Sequence, residues 1–198
     1  SGVATVLALA EAFSKAPQRP RRSIVFMTFF GEEKGLFGSR YYAAHPLFPL
    51  AQTVADLNFE HMGRTDDNEG PRAGKITSTG FDYTTLGQTL TEAGALTGIE
   101  AWKHERNSDG FFGSSDNQPL ADKGIPAITI AVAWIFPDYH RPGDEWQKLD
   151  YPNMEKAVRT AALTASRVAN AAQPPAWIVS NPKVANYLKA WQHLHATH

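Results

Sequence analysis

The chain has 198 residues, of which 42% are hydrophobic and 20% are charged, and it contains no cysteine. Lysine and arginine (19) nearly balance aspartate and glutamate (20), so the net charge of −1 provides no field that would attract nucleic acid or an anionic membrane. The absence of cysteine excludes thiolate zinc sites, disulfide scaffolds and cysteine nucleophiles, so any metal must be held by histidine and carboxylate side chains.

The first part of the chain alternates helical and extended patterns. Apolar residues at three- and four-residue spacing predict a helix over residues 3–15. A continuous apolar and β-branched run over residues 23–30 predicts a strand that is buried on both faces. A short helix over residues 36–44 and a second strand over residues 53–60 follow.

The same alternation continues to residue 172. The patterns predict strands, helices and one polar loop over residues 75–79 (strand), 83–96 (helix), 99–103 (edge strand), 103–115 (loop), 126–133 (buried strand) and 153–172 (helix). This order predicts an α/β fold, a three-layer sandwich with a mixed, mostly parallel central sheet flanked by helices. The longest apolar run is interrupted by Pro126, so we expect no transmembrane segment.

Residues 173–198 form a C-terminal tail that begins with a proline-rich break. The apolar pattern over residues 184–195 predicts a helix that packs on the domain or on a partner. The tail also carries His193, His195 and His198. These histidines either bind adventitious metal or belong to a solvated chain end, and the second interpretation is favoured.

Two adjacent carboxylates, Glu32 and Glu33, directly follow the first predicted strand. Two charges in such a place are costly unless a cation or a proton accompanies them. One carboxylate can bind a metal while the other, turned toward a bound water, acts as a general base. The alternative is a solvated pair that opens the next helix, stabilised by the helix dipole.

Two further residues follow predicted strands. Glu60 ends the second strand with Asn58 on the same face, whereas alternation turns His61 the other way, into a supporting or structural role. His140 lies just beyond the last buried strand. Because the carboxyl ends of parallel strands meet at one edge, we expect Glu33, Glu60 and His140 to meet there. Oxygen and nitrogen donors of this kind suit zinc. Taken alone, Glu60 is as typical of a surface position as of a ligand, and Glu33 and His140 are more typical of solvated positions.

Four motifs in order make the pattern specific. Together they resemble the zinc exopeptidases that include bacterial leucine aminopeptidases and glutamate carboxypeptidase, over residues 1 to about 172. The motifs are Glu32-Glu33-Lys-Gly-Leu-Phe-Gly-Ser39, Asn58-Phe-Glu-His-Met-Gly63, Ser115-Asp-Asn117 before Gly124-Ile-Pro-Ala127, and Tyr139-His-Arg-Pro-Gly-Asp144.

The resemblance implies a pair of zinc ions that activates one water for hydrolysis of a peptide bond, with release of N-terminal residues from a peptide substrate. It implies that Glu32 is the general base. It assigns Glu33 and His140 as ligands of one zinc and Glu60 as a ligand of the other. Tyr139 is expected to donate a hydrogen bond to the scissile carbonyl oxygen.

Supporting or substrate-side roles are implied for Asp116, Asn58 and Asp144. The chain departs from the family at Asn117, where histidine or another residue is common, and at Glu60, where many relatives carry aspartate. The longer glutamate side chain still chelates but displaces the carboxylate.

The resemblance also implies two earlier ligands, a histidine in a His-x-Asp motif and a bridging aspartate just before a Ser-Gly pair that begins a helix. This chain opens with such a pair, Ser1-Gly2. Residues 1–172 are therefore expected to be the carboxyl-terminal part of a catalytic domain, with weak or partial zinc occupancy and little activity alone. Relatives of this kind are often exported, which favours a secreted or periplasmic location.

Other functions remain open at this point. The same fold serves zinc carboxypeptidases and glutaminyl cyclases, and a non-catalytic interaction module would keep the sheet without the chemistry. Substrate preference and oligomeric state are also open. Four aromatic residues are typical either of a substrate pocket or of the core: Phe111, Phe112, Trp134 and Phe136.

Overall fold

The structure, a computed structural model, describes residues 1–196 and contains a four-stranded sheet flanked by helices. The strands are β1 (Asp56–Phe59), β2 (Lys75–Ser78), β3 (Glu100–Ala101) and β4 (Ala127–Ala131). The helices are α1 (Gly2–Lys15), α2 (Phe37–Ala44), α3 (Leu86–Thr97), α4 (Asn107–Gly110), α5 (Asn117–Ala121), α6 (Tyr151–Asn170) and α7 (Ala185–Ala196).

The strand order in the sheet is β1-β4-β2-β3. β1 runs parallel to β4, with Asn58 opposite Thr129, whereas β2 runs antiparallel to β4 and parallel to β3. The mixed sheet confirms the predicted fold class. Because β1 and β4 are parallel neighbours, their carboxyl ends lie at the same edge of the sheet.

Strand β4 lies in the centre of the sheet and all five of its residues are buried. Ile128 and Ile130 belong to the main core, together with residues of α1, α3 and α6. Ala127 belongs to a second cluster with Phe112 and Trp177. Side chains of β4 therefore alternate between two helical layers, which makes the domain a three-layer sandwich.

The predicted strand over residues 23–30 is wrong. The segment has no regular secondary structure, and within residues 1–196 no strand pairs with its backbone. Its apolar side chains are still used in packing, since the Phe26 ring lies 6.1 Å from that of Phe13 and the Phe29 ring 6.1 Å from that of Tyr42. An apolar run shows that side chains are buried, but a strand also needs a neighbouring backbone with which to form hydrogen bonds.

The C-terminal tail packs on the domain in the part that the structure describes. Trp177 is buried and donates a hydrogen bond through Nε1 to the carbonyl of Gly124 at 2.8 Å. Its ring stacks on that of Tyr187 in α7, with 5.0 Å between centroids. His198 lies outside the described residues. Between residues 1 and 196, no helix combines the length and the apolar character needed to cross a membrane.

Candidate active site

At the carboxyl end of β1, a chain of hydrogen bonds fixes the carboxylate of Glu60. Asn58 donates through Nδ2 to the Ser115 hydroxyl at 2.8 Å and to the Thr129 hydroxyl at 3.0 Å. The buried Ser115 hydroxyl in turn donates to Glu60. Ser115 thus joins the loop before α5 to the end of β1. The sequence placed Ser115 in a motif but gave no sign of this contact.

Glu32 and Glu33 lie in a single 3₁₀ turn over residues 32–34. The turn follows Gly31, whose φ of +69° is in the left-handed region that glycine adopts without steric cost. Burial and the carboxylates of Glu60, Glu33 and Asp116 raise the pKa of Glu32 to about 7, while His140 acts in the opposite direction. The carboxylates therefore form a cluster that favours a bound proton or cation.

His140 and Tyr139 lie in the loop that follows β4. His140 Nε2 is 2.9 Å from Glu33 Oε1, and its ring stacks on that of Tyr139 with 3.9 Å between centroids. Burial raises the pKa of Tyr139, and the nearby carboxylates of Glu33, Glu60 and Glu32 add to this effect. The phenol consequently keeps its proton and remains a hydrogen-bond donor beside the carboxylates.

His61 lies beneath this loop. Its φ of +48° ends the strand alternation, and its ring meets those of Phe136 and Tyr139 edge-on, with centroids 5.3 and 5.2 Å away. Burial lowers the pKa of His61, which favours the neutral ring. Its contacts are those of a packing residue under Tyr139.

Asp116 and Asn117 connect the start of α5 to its surroundings. The buried Asp116 accepts a hydrogen bond from the Ser39 hydroxyl at 2.5 Å. The pKa of Asp116 is raised, mainly by burial. The hydrogen bond from Ser39 opposes this effect and the charge of Glu60 adds to it. Asn117, fully buried, accepts from the Thr129 hydroxyl at 2.8 Å. Asn117 thus serves the packing of α5 on β4.

One cavity of about 1350 Å³ brings most of the predicted site residues together. Phe112 is not among the cavity residues, since it is buried with Tyr83 in the second core cluster. The residues at the cavity include Glu32, Glu33, Asn58, Glu60, Asp116, Tyr139, His140 and Asp144, along with the aromatic residues Phe111, Trp134 and Phe136.

The metal donors are only partly assembled. Among residues 1–196, no group of three or more histidine, aspartate or glutamate side chains is arranged to hold a metal ion. Glu33 and His140 contact each other through one oxygen and one nitrogen atom, and Glu60 accepts a hydrogen bond from the Ser115 hydroxyl. Catalytic zinc sites normally have three protein ligands, one more than this pair of side chains contains.

Comparisons with known proteins identify the family of this chain. The sequence profile of peptidase family M28 matches residues 1–165. Leupeptin-inactivating enzyme 1 of Streptomyces exfoliatus is 33% identical over 149 residues, which is 75% of this chain and 31% of that protein.

Solved structures show the same fold. BSAP, a zinc aminopeptidase from Bacillus subtilis, superposes with a TM-score of 0.70 at 20% identity, over 85% of this chain and 41% of that one. The aminopeptidase from Aneurinibacillus sp. strain AM-1 gives a TM-score of 0.68 at 23% identity, over 90% of this chain and 40% of that protein. This chain thus spans less than half the length of these relatives.

Proposed function

Because the chain belongs to peptidase family M28, we propose that the cavity at the ends of β1 and β4 is the active site of a zinc aminopeptidase, which removes N-terminal residues from peptides. The observation that carries the proposal is the contact between Glu33 and His140 beside Glu32. An oxygen and a nitrogen donor beside a carboxylate that can take up a proton suit metal-assisted hydrolysis.

The donors fit zinc. Glu33 and His140 would hold one ion and Glu60 another. Burial raises the pKa of Glu32 most, and the carboxylates of Glu60, Glu33 and Asp116 add negative charge that a divalent cation would balance. The family relatives are about twice as long or longer, so we propose that the remaining ligands come from residues outside this chain. With this partial set, residues 1–196 alone are expected to bind zinc weakly and to turn over slowly.

The residues of this chain divide the chemistry between them. Zinc supplies, when bound, a polarised water and a positive charge beside the substrate carbonyl. Glu32 would accept a proton from the water and later deliver it to the leaving amine. Tyr139 donates its phenolic hydrogen toward the carbonyl oxygen as that oxygen gains charge.

Three other residues belong to the hydrogen bonds that position side chains at the cavity. Asn58 and Ser115 fix the carboxylate of Glu60, and Asp116 is tied to Ser39. The aromatic walls formed by Phe111, Trp134 and Phe136 would shelter the substrate side chain from water.

Zinc binding and hydrolysis test the proposal. We would measure zinc affinity by competition with a chelating dye, and release of p-nitroaniline from amino-acid p-nitroanilides, for this chain and for His140→Ala. His45→Ala is the matched control, since His45 is exposed and stacks on Tyr41 as His140 stacks on Tyr139. We expect only His140→Ala to lose zinc.

The same assays separate the alternatives. A glutaminyl cyclase of this fold would bind zinc without hydrolysing p-nitroanilides, and a carboxypeptidase would cleave only substrates with a free carboxylate. Absence of zinc binding by the unmodified chain, or equal affinity in both variants, would overturn the proposed metal site.

A further inference from the structure

Arg64 is buried between the loop that follows β1 and the loop that carries Tyr139 and His140. Its side chain is 3% exposed, and no sequence pattern singles it out. The structure assigns Arg64 as a positioning residue that clamps the loop over residues 138–144. This inference rests on the proposed function, because the loop matters through Tyr139 and His140.

The clamp acts on both sides of the functional pair. Arg64 Nη1 donates to Asp144 Oδ1 at 2.8 Å, and Nη2 lies 3.6 Å from Asp138 Oδ2. Asp138 directly precedes Tyr139, and Asp144 closes the same loop. One guanidinium therefore ties the two ends of the segment that projects His140 toward Glu33.

Asp66 fixes the orientation of the guanidinium. Arg64 Nε donates to Asp66 Oδ1 at 2.8 Å and Nη2 to Asp66 Oδ2 at 2.6 Å, so the contact is bidentate. A bidentate arginine-carboxylate pair fixes a planar fork in one plane, which a lysine ammonium cannot do. With Nε and Nη2 bonded to Asp66 along one edge of the guanidinium, Nη1 is left to donate to Asp144.

A series of ring contacts connects Arg64 to Tyr139. The guanidinium carbon of Arg64 lies 4.5 Å from the centroid of the Phe136 ring. The Phe136 ring meets the Tyr139 ring edge-on, with 5.5 Å between centroids. Tyr139 then stacks on His140. The contacts thus run without a gap from the buried cation to the exposed imidazole.

His140 needs such support. Its φ of +58° lies in the left-handed region, which is unfavourable for a residue with a Cβ, and its side chain is 53% exposed. Local packing of the imidazole alone is therefore a weak restraint. Backbone hydrogen bonds from Arg141 to Asp138 at 2.9 Å and from Asp144 to Arg141 at 3.0 Å shape the loop, and Arg64 anchors it to the domain.

The test compares Arg64→Met with Arg72→Met. Arg72 is a second arginine with little exposure (10% of its side chain), lies 4.8 Å from the Trp102 ring centroid and pairs with Asp67 at 3.6 Å. It matches Arg64 in burial, charge and aromatic contact. Arg72 contacts Asp67, Glu69 and Trp102, which all lie outside residues 136–144. Arg64→Lys and the milder Asp144→Asn complete the set, so the question stays answerable if Arg64→Met does not fold.

Two readouts are used below the melting temperature of every variant. The first is zinc affinity by dye competition, and the second is hydrogen exchange of the amides of Arg141 and Asp144. For Arg64→Met we expect about 10- to 100-fold weaker zinc binding, the usual effect of losing a residue that orients a ligand, and faster exchange at both amides. Arg64→Lys and Asp144→Asn should fall between Arg64→Met and the unmodified chain, and Arg72→Met should lower the melting temperature alone.

The outcomes separate the two proposals. Unchanged zinc affinity and exchange in Arg64→Met and Asp144→Asn, in a chain that binds zinc, would overturn the clamp while the proposed function stands. If the unmodified chain binds no zinc, the proposed function fails, and hydrogen exchange alone decides whether Arg64 holds the loop. Equal effects of Arg64→Met and Arg72→Met on both readouts would show a general role in stability and overturn the clamp.

Discussion

His140 Nε2 lies 2.9 Å from Glu33 Oε1, although His140 comes from the loop after β4 and Glu33 from the 3₁₀ turn over residues 32–34, and the two side chains are 53% and 66% exposed. A contact between side chains so exposed contributes at most about 1 kcal/mol to stability. The folded domain therefore does not depend on it. What the contact does provide is an oxygen and a nitrogen donor held together at the end of a cavity.

Glu33→Gln is the first variant that follows from this contact. The substitution keeps the size of the side chain and removes the charge, so we expect the stability to change by less than about 0.5 kcal/mol. Zinc affinity should fall by more than about tenfold, since a ligand contributes more than a supporting contact. Thermal unfolding and dye competition measure the two quantities.

Glu11→Gln is the matched control for Glu33→Gln. Glu11 is similarly exposed, at 66%, and pairs with Lys15 one helical turn away in α1. It lies outside the set of residues that line the cavity. Zinc affinity lost equally in both variants would rule out a specific role for Glu33.

Glu32→Gln should separate catalysis from metal binding. A glutamine cannot accept the proton of the attacking water, so we expect turnover to fall about 10²- to 10⁴-fold, with zinc affinity unchanged. Steady-state hydrolysis of amino-acid p-nitroanilides and dye competition on the same preparation give both values. Near-normal turnover would remove Glu32 from the role of general base.

Tyr139→Phe should lower the rate without loss of zinc. The phenyl ring keeps the stack on His140 while the hydroxyl is lost, so we expect kcat to fall about 10²- to 10³-fold. Tyr41→Phe is the control, because Tyr41 is 67% exposed and stacks on His45 with 4.5 Å between centroids. A larger change in KM than in kcat would argue that Tyr139 binds the ground state instead of the transition state.

The fold was largely predictable because hydrophobic periodicity reports which side chains are buried. Helices α1 and α6 and strand β4 lie where the apolar patterns place them. Residues 23–30 show the limit of that signal. Their side chains do pack inside, at Phe26 and Phe29, but the pairing of a backbone depends on neighbours that the pattern of one segment does not contain.

The site was predictable to the extent that it follows strand ends. The strand-end rule led to Glu33, Glu60 and His140, which border one cavity, although residues 23–30 before Glu33 form no strand. The contacts of Ser115 with Glu60 and of Arg64 with Asp144 leave no local signal, because they span 55 and 80 positions of the sequence. Only folding brings these partners together.

Asp56 predicts a distinctive dependence of stability on pH. It is the first residue of β1, and its Oδ2 atom is buried with no hydrogen-bond partner among the described residues. Burial, and secondarily the charge of Asp116, raise the pKa of Asp56 to about 7, from an ordinary value of 3.8. Between these two values the folded state holds a proton that the unfolded state has lost, so stability falls as the pH rises through this window.

Asp56→Asn should remove this penalty. The amide stays neutral, so the stability of the variant relative to the unmodified chain should rise between pH 4 and pH 7 and level off above. We expect a total rise of about 1–3 kcal/mol, less than full burial would give, because the side chain also borders the cavity. Urea unfolding at several pH values measures the difference. Glu92→Gln is the control, and its stability relative to the unmodified chain should fall with rising pH instead of rising. The reason is that hydrogen bonds from Arg167 and Gln88 lower the pKa of Glu92. For Asp56→Asn, a difference that stays constant from pH 4 to pH 8 would show that Asp56 ionises in the folded domain as freely as in the unfolded chain.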